Sequence, residues 1–301
     1  MLSFIQLSDA KAAASYRSMT FPVYRGMLDF DAADFAPIAI GALQDAVPAG
    51  LALLYADKDS NEVQLLSIFV LAQFRRKGIA LELMRRSIAY CENHRYQQMS
   101  ATYMSGQDTT QILENLFIKT SWQTPKTRML VVRCSLDSIK TAPWLNRYAV
   151  PNGYELLPWA ELTVAERWAI SESNKEKPWI APDLVPFDYE DNYEPITSVA
   201  LRINGVIVGW CLNHIIDGNL RFTCSFVRRD LQRLGRIVLL YSYSVARLPL
   251  IGLSVGIWTV PVNHMGMINF ARKHMQPYSI FFGETRGVSK CLSINSSVST
   301  Q

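Results

Sequence analysis

Arg75-Arg76-Lys77-Gly78-Ile79-Ala80 is the stretch whose residue types and spacing suit the binding of an anion. It lies between a β-like run, VQLLSIFV (63–70), and a helical pattern. In that pattern Ala80, Leu83, Met84, Ile88 and Cys91 recur on one face while Glu82, Arg85 and Arg86 face outward. The first N–H groups of a helix lack intrahelical partners and point beyond its start, where a turn of amides forms a nest for phosphate oxygens. Gly78 has no Cβ, so the main chain there can approach a pyrophosphate closely and take unusual φ values. Ala80 is small to the same effect, and the three cations raise the local potential. A solvated basic turn would use the same residue types. What distinguishes this one is its place between a strand and a helix.

The elements around the loop occur twice. In the first half Gly41 and Gly50 stand nine apart in AIGALQDAVPAGLALLYA; in the second, Ala200 and Gly209 stand nine apart in VALRINGVIVGWCLNHII. Each stretch reads as two β-rich runs joined by a turn. A further strand follows, VQLLSIFV or LRFTCSFV (220–227). Five residues beyond its last valine comes Arg75 or Gln232, and three beyond that Gly78 or Gly235. After the helix each half carries a β-like run (QQMSATY; LSVGIWTV), a second helix (ILENLFIKTSW; MGMINFARKHM) and a closing β-like segment (RMLVVRCS; SIFFGE). The order predicts an α+β fold twice over, each copy a mixed, largely antiparallel sheet flanked by helices. Residues 137–152, with two prolines and little periodicity, read as a linker between domains 1–136 and 153–301.

Composition narrows the class. The 301 residues suffice for two domains, and 49% apolar with 19% charged residues is ordinary globular composition. The net charge of +4 contains no run of five like charges, which speaks against a nucleic-acid partner. Five cysteines without a CxxC read as reduced thiols in a cytoplasmic setting, and four histidines without ligand spacing argue against a metal site. The N-terminus lacks the basic-then-apolar layout of a signal peptide. The apolar stretch 237–258 is interrupted by Arg247 and Pro249, so it reads as helix, turn and strand in a core rather than a membrane span.

This arrangement resembles the GNAT superfamily of acyl-CoA N-acyltransferases, whose signature at this place is Gln/Arg-x-x-Gly-x-Gly/Ala. Arg75, Gly78 and Ala80 meet all three requirements. The resemblance covers nearly the whole chain when the fold is allowed twice. It implies that residues 73–80, with Arg75, Arg76, Lys77, Gly78, Ile79 and Ala80 at their centre, bind the pyrophosphate of acetyl-CoA. It also implies that the splayed end of the strand ending at Val70 pairs with the pantetheine arm. The second copy matches at Gln232 and Gly235 but has Ile237 at the Gly/Ala position, where a branched side chain would crowd phosphates. One acetyl-CoA per chain is the expectation.

Such enzymes transfer an acyl group directly from the thioester to an amine. Main-chain N–H groups near Val70 and Leu71 are candidates for the oxyanion. The family's acid is often a tyrosine in the last helix. Phe117 stands there in the first half and Phe270 in the second, so both lack the hydroxyl. Tyr103, Ser105 and Asp108 follow the fifth strand as substitutes, with Tyr103 the candidate acid or else a rim tyrosine. Some relatives place a glutamate at Gln64. Gln64 itself could hold a water, and Glu62, two residues earlier on the same face, is either the base or a solvated carboxylate.

Residues 20–37 and 177–195 lie between the first helix and the hairpin of each half, and both mix acids with aromatics. In the resembling family this region shapes the acceptor pocket. Tyr24, Asp29 and Asp31 are therefore candidates to attract a cationic amine, beside the plainer reading of a polar surface loop. The leading expectation is a cytoplasmic acetyl-CoA-dependent N-acetyltransferase active in its first half. Its acceptor would be a primary amine on a small molecule or a protein, with no nucleic-acid or membrane partner. A homodimer is compatible with this reading. The alternatives are a non-catalytic acyl-CoA-binding or regulatory protein, which Phe117 and Phe270 favour, and an aminoacyl transferase of the FemX-like kind, against which the intact loop speaks.

Overall fold

The computed structural model describes residues 1–30, 36–56, 61–145, 147 and 149–293. In chain order the first half runs β1 (Leu2–Leu7), α1 (Ala10–Ala13), two 3₁₀ stretches (Ala14–Met19 and Pro22–Asp29), β2 (Ala36–Gln44), β3 (Val47–Ala56) and β4 (Glu62–Val70). It continues through α2 (Ile79–Asn93), β5 (Gln98–Met104), α3 (Thr110–Lys119) and β6 (Lys126–Ser135). The second half runs α4 (Leu136–Ile139), β7 (Tyr154–Pro158), α5 (Val164–Glu176), β8 (Val199–Ile203), β9 (Val206–Ile216) and β10 (Asn219–Val227). It ends with α6 (Arg236–Arg247), β11 (Val255–Pro261), α7 (Met265–Phe270) and β12 (Phe281–Cys291).

Local chemistry accounts for the hairpins. β2 and β3 are joined by Asp45 and Ala46, at φ 52° and 64°, and their ladder runs from Ala36↔Ala56 to Gln44↔Val47. Asn204-Gly205 joins β8 to β9 and Asp217-Gly218 joins β9 to β10, all at positive φ. Two-residue turns of this hand match the twist of the strands they link. In α2, Ile79, Leu83, Met84, Ser87, Ile88 and Cys91 form the buried stripe, so the helix lies on the sheet by one face.

The compact units are not the two contiguous segments that the sequence suggested. One comprises Met1–Arg128 together with the C-terminal stretch from Thr285; the other is Met129–Glu284. In the first, β1 to β5 follow in order and the outer partner of β5 is β12, antiparallel from Thr285↔Met104 to Cys291↔Gln98. In the second, β6 pairs antiparallel with β11 from Val255↔Ser135 to Pro261↔Met129, followed by β10, β9, β8 and β7. The closing strands are thus exchanged. Hydrophobic alternation tells a strand which face to bury but not which neighbour to take, so the exchange left no mark on the pattern. Of the expected closing segment SIFFGE, the last four residues are only the start of β12, whose later residues TRGVSKC contribute Val288 to the core.

Residues 137–152 also depart from the expected linker. Ile139, Ala142, Trp144 and Leu145 are buried in the core of the second unit, with Leu130, Val132, Trp258 and Leu240. Burying them is favoured by about 25 cal/mol per Å² of apolar surface, which a solvated linker would forgo. In the first unit one sheet face packs on α2 and α3 through Ile40, Leu54, Val63, Leu65, Leu83 and Phe117. The opposite face is covered by the 3₁₀ segments through Tyr16, Met19 and Leu28 on Ala39, Leu51 and Leu53. Thr20 Oγ1 lies 2.7 Å from Ser67 Oγ, tying this cover to β4.

A chain ending at residue 136 should therefore not fold as an independent domain. It would leave the β5 edge open, lose Val288 and Leu292 from the core, and strand most of β6 without its β11 ladder. Circular dichroism and thermal unfolding of residues 1–136 check this; a cooperative transition like that of the full chain would show that β12 is dispensable.

Candidate active site

The parallel ladder between β4 and β5 is short. It runs from Glu62↔Gln98 to Leu65↔Ala101 and stops. At that point the register of β4 on β3 shifts: Leu54 faces Leu65 but Leu53 faces Ser67, so Leu66 is an extra residue. A bulge bends its strand and increases the local twist, which turns residues 67–70 away from β5. Beyond it, Gly50 lies opposite Val70, and a Cβ on Gly50 would fall 2.8 Å from the Phe69 carbonyl oxygen. Only glycine lets the two backbones come that close. The Leu71 N–H donates to Ala49 O at 3.0 Å. Leu71 is thereby committed to β3, not free for an oxyanion. Main-chain groups alternate along a strand, so those of Val70 and Ile68 face the opening. Ile68 went unnoticed in the sequence because nothing in its side chain signals it.

The loop after β4 makes one 3₁₀ turn (Ala72–Phe74) and reaches α2 through two left-handed residues, Arg76 at φ 65° and Gly78 at φ 78°. No side chain caps α2 at Gly78, and Glu82 N–H bonds Gly78 O at 3.1 Å. The amides of Ile79, Ala80 and Leu81 therefore precede the helical ladder and carry the positive end of its dipole. A Cβ built on Gly78 would meet no heavy atom within 4 Å, so the space above it is open. The Arg75 Nε donates to Val70 O at 3.0 Å, bracing the loop on the strand end. Arg76 and Lys77 are exposed, Lys77 above the Phe74 ring at 5.6 Å. Ile79 is buried and Ala80 packs on the core.

The second unit repeats this backbone. The β10–β11 ladder stops at Phe222↔Trp258, and Thr223 is the extra residue in the register of β10 on β9. Gly209 sits 2.8 Å, at its would-be Cβ, from Phe226 O. Gln232 Nε2 donates to Val227 O at 2.9 Å, as Arg75 does to Val70, and Gly235 has φ 69°. The side chains differ. Phe222 and Trp258, where the first unit has Leu65 and Ala101, stack at 4.0 Å with 12° between planes, and Tyr241 meets both edge-on. Arg221 Nη2 reaches Thr259 Oγ1 at 3.2 Å, from β10 to β11. Ile237 is half-buried against the same core.

Of the candidate catalytic groups, Glu62 and Gln64 share the exposed face of β4, alternating with buried Val63 and Leu65. Gln64 stands opposite Ser100, one rung before the ladder ends, while Glu62 lies two residues toward the closed end, about 7 Å away at strand rise. Tyr103 is on the other face. Its hydroxyl donates to Glu114 Oε1 at 2.7 Å, and Arg286 Nη1 donates to the same oxygen at 2.7 Å. Burial and the Glu114 carboxylate push the Tyr103 phenol well above its ordinary value. Glu114 is held below the usual carboxylate range, first by the Tyr103 hydrogen bond and then by Arg286. The phenol proton is thus committed to a carboxylate. Phe117 is fully buried between Tyr103 and Trp122, at 5.7 and 5.0 Å. Ser105 is buried, and Asp108 is exposed in the loop before α3.

The acidic loops are also largely spoken for. Asp29 is bonded through both oxygens to the Arg17 guanidinium, so it is not a free anchor for an amine. Tyr24 packs on the N-terminal cover with its ring edge-on to Phe21 at 6.2 Å. Asp31 lies outside the described residues. In the second unit Glu190 takes Arg167 and the Trp159 Nε1, and Asp183 takes His264 Nε2 at 2.7 Å.

Residues 7–112 match the sequence profile of the Acetyltransferase (GNAT) family. Among curated protein sequences nothing matches. Two solved structures align over almost their whole length. A tandem GNAT protein from the clavulanic acid biosynthesis pathway, without AcCoA, has a TM-score of 0.58 at 14% identity, over 97% of this chain and 98% of its own. A GCN5-related N-acetyltransferase from Sphaerobacter thermophilus has a TM-score of 0.58 at 14% identity, over 96% and 95%. At such identities the likeness is one of fold. The chain has the fold of a tandem GNAT protein, and its residues 7–112 carry the sequence pattern of that family.

Proposed function

We propose that the protein is an acetyl-CoA-dependent N-acetyltransferase whose active site lies in the first unit and whose acceptor is a primary amine. One observation carries this reading: an opened β4–β5 pair leads directly into an uncapped helix start with free space above Gly78. An acetyl-CoA pyrophosphate fits the residues present. The amides of Ile79, Ala80 and Leu81 would receive its oxygens, Arg76 and Lys77 would supply countercharge, and Arg75 would hold the loop in shape. The main chain of Val70 and Ile68, facing the opening, would pair with the pantetheine arm and donate to the oxyanion. Acetyl-CoA supplies the activated acyl group; the chain aligns it and removes a proton from the amine. In this reading Gln64 holds a water on the acceptor side, and Glu62 receives the proton along the same face.

No side-chain acid is needed at the sulfur. A thiol with a pKa of about 8.5 leaves tolerably as thiolate. Tyr103 then braces α3 against β5 and β12 instead of delivering its proton. The second reading, a non-catalytic acyl-CoA-binding protein, draws on buried Phe117 in place of the family's tyrosine. The two differ in whether free CoA thiol is released when an amine is supplied.

Gly78→Glu should abolish acetyl-CoA binding, by adding bulk and negative charge beside the amides. The wild type should titrate to one acetyl-CoA per chain, since bulky Phe222 and Trp258 stack where the second ladder stops and branched Ile237 stands at the Gly/Ala position of the second loop. Calorimetry reads both; unchanged affinity in the variant, or two equal sites in the wild type, would refute the assignment. Tyr103→Phe should leave acetyl-CoA affinity unchanged and lower turnover by no more than about threefold at neutral pH. A loss in the range of about 10²–10⁴-fold, usual for a proton-transfer group, would instead make the phenol the acid.

A further inference from the structure

On the sheet face opposite α2, the first unit has an open cleft of about 390 Å³, which Gln64, Ser100, Thr102, Lys126, Arg128 and Ser289 help to line. Its floor is made of strand residues with short polar side chains. Gln64 and Ser100 face each other one rung before the β4–β5 ladder ends, and Thr102 is the first β5 residue on this face beyond that end. The cleft therefore abuts the opening at which an acetyl group would be presented.

Its charge is one-sided. Among the described residues, Lys126 and Arg128 are the charged residues of the lining, which contains no carboxylate, and neither forms an ion pair. The Arg128 guanidinium is held in place, with Nη1 donating to Thr102 Oγ1 at 2.9 Å. Its stem lies along β12 at Gly287, where a Cβ would come within 3.0 Å of Arg128 Cδ. Only part of a planar fork of five donors is used by that one bond, and such a fork suits a carboxylate or phosphate. Among the described residues no acid lines this cleft, and Asp29 is bound to Arg17.

We propose that this cleft seats an oxyanion carried by the acceptor, so that the substrate is an amine bearing a carboxylate or phosphate. This rests on the N-acetyltransferase reading. Lys126 and Arg128 bind the anion, while the polar floor positions the amine toward the opening between β4 and β5. The acceptor amine attacks the thioester carbonyl, the C–S bond breaks, CoA leaves as thiolate, and the proton lost from the amine passes to the Gln64–Glu62 side. The anionic group itself undergoes no change.

The test compares amines that differ only in the anion: 4-aminobutyrate against 4-aminobutyramide, phenylalanine against phenylalaninamide, and phosphoethanolamine against ethanolamine. Release of CoA thiol is followed for the wild type, Lys126→Glu and Arg128→Gln. The anionic member of at least one pair should be preferred by about tenfold or more in kcat/KM, mainly through KM. That preference should vanish in either variant while the affinity for acetyl-CoA stays the same. Lys126 is exposed and its side chain makes no hydrogen bond among the described residues, so Lys126→Glu carries the result if Arg128→Gln folds poorly. Equal use of both members of every pair, or a preference for the neutral ones, overturns the proposal. So does a tenfold loss of acetyl-CoA affinity in Lys126→Glu, which would give the cleft to the cofactor. If no amine is acetylated, the enzyme reading fails by itself. Calorimetry of the same anionic amines against the CoA-saturated protein then decides: binding that Lys126→Glu removes supports the subsite, and no binding overturns it.

Discussion

The chain depends on a parallel ladder that is made to stop. β4 and β5 pair for four residues and part where Leu66 inserts into the register with β3. A strand pair that continued would spend its main-chain donors and acceptors on itself. One that parts must satisfy them otherwise, because a buried unpaired amide costs about 1–3 kcal/mol. The protein supplies some substitutes of its own: Arg75 caps the Val70 carbonyl, and Ala49 takes the Leu71 N–H. Groups of Ile68 and Val70 that face the opening are left for a ligand. Gly50 is the counterpart on the other side, where the absence of a Cβ lets β3 follow the bent strand. The opening is thus a consequence of backbone geometry that two residues, one inserted and one lacking a side chain, impose.

What the sequence disclosed follows from this. The loop from Arg75 to Ala80 was legible because its requirements are local: a glycine at positive φ, a small residue, a strand before and an amphipathic helix after. The duplication was legible for the same reason, since Gly50 and Gly209 meet equal backbone constraints at equal spacing. The partners of side chains were not. Tyr103 read as free because Glu114 is on a helix and Arg286 lies 172 residues from Glu114 along the chain. Asp29 read as an amine anchor because its pairing with Arg17 follows from the path of irregular 3₁₀ segments. The exchange of β6 and β12 was hidden more deeply. Each strand satisfies its own alternation in either location, and the choice is made by long-range pairing.

Charge is distributed accordingly. Several half-exposed acids of both units hold arginines: Asp29 with Arg17, Glu114 with Arg286, Glu166 with Arg202, Glu190 with Arg167. Such half-buried pairs tie one element to another, α3 to β12 and α5 to β8, and their contribution is to geometry more than to stability. Among the described residues, the cations that hold no acid include four of the first unit. Arg76 and Lys77 stand at the start of α2, and Lys126 and Arg128 on the opposite face of the same sheet. A net charge of +4 spread over 30 basic and 26 acidic residues conceals this, because what matters is which charges are already used.

The two units then differ in a way the backbone does not reveal. Both keep the extra residue, the glycine under the strand carbonyl, the side chain that caps the last carbonyl and the left-handed residue before the helix. Yet the rung at which the ladder stops carries Leu65 and Ala101 in one and Phe222 and Trp258 in the other. Large aromatic side chains each bury about 150–250 Å². Placed at the apex of an opening, they supply from within the apolar contact that a ligand would otherwise bring. Phe222, Trp258 and Tyr241 form such an aromatic cluster where the β10–β11 ladder stops. A scaffold built to expose main-chain groups can therefore be turned into a supporting element by enlarging two side chains. The bulge itself can stay, because removing it would shift every later residue of the strand to the wrong face.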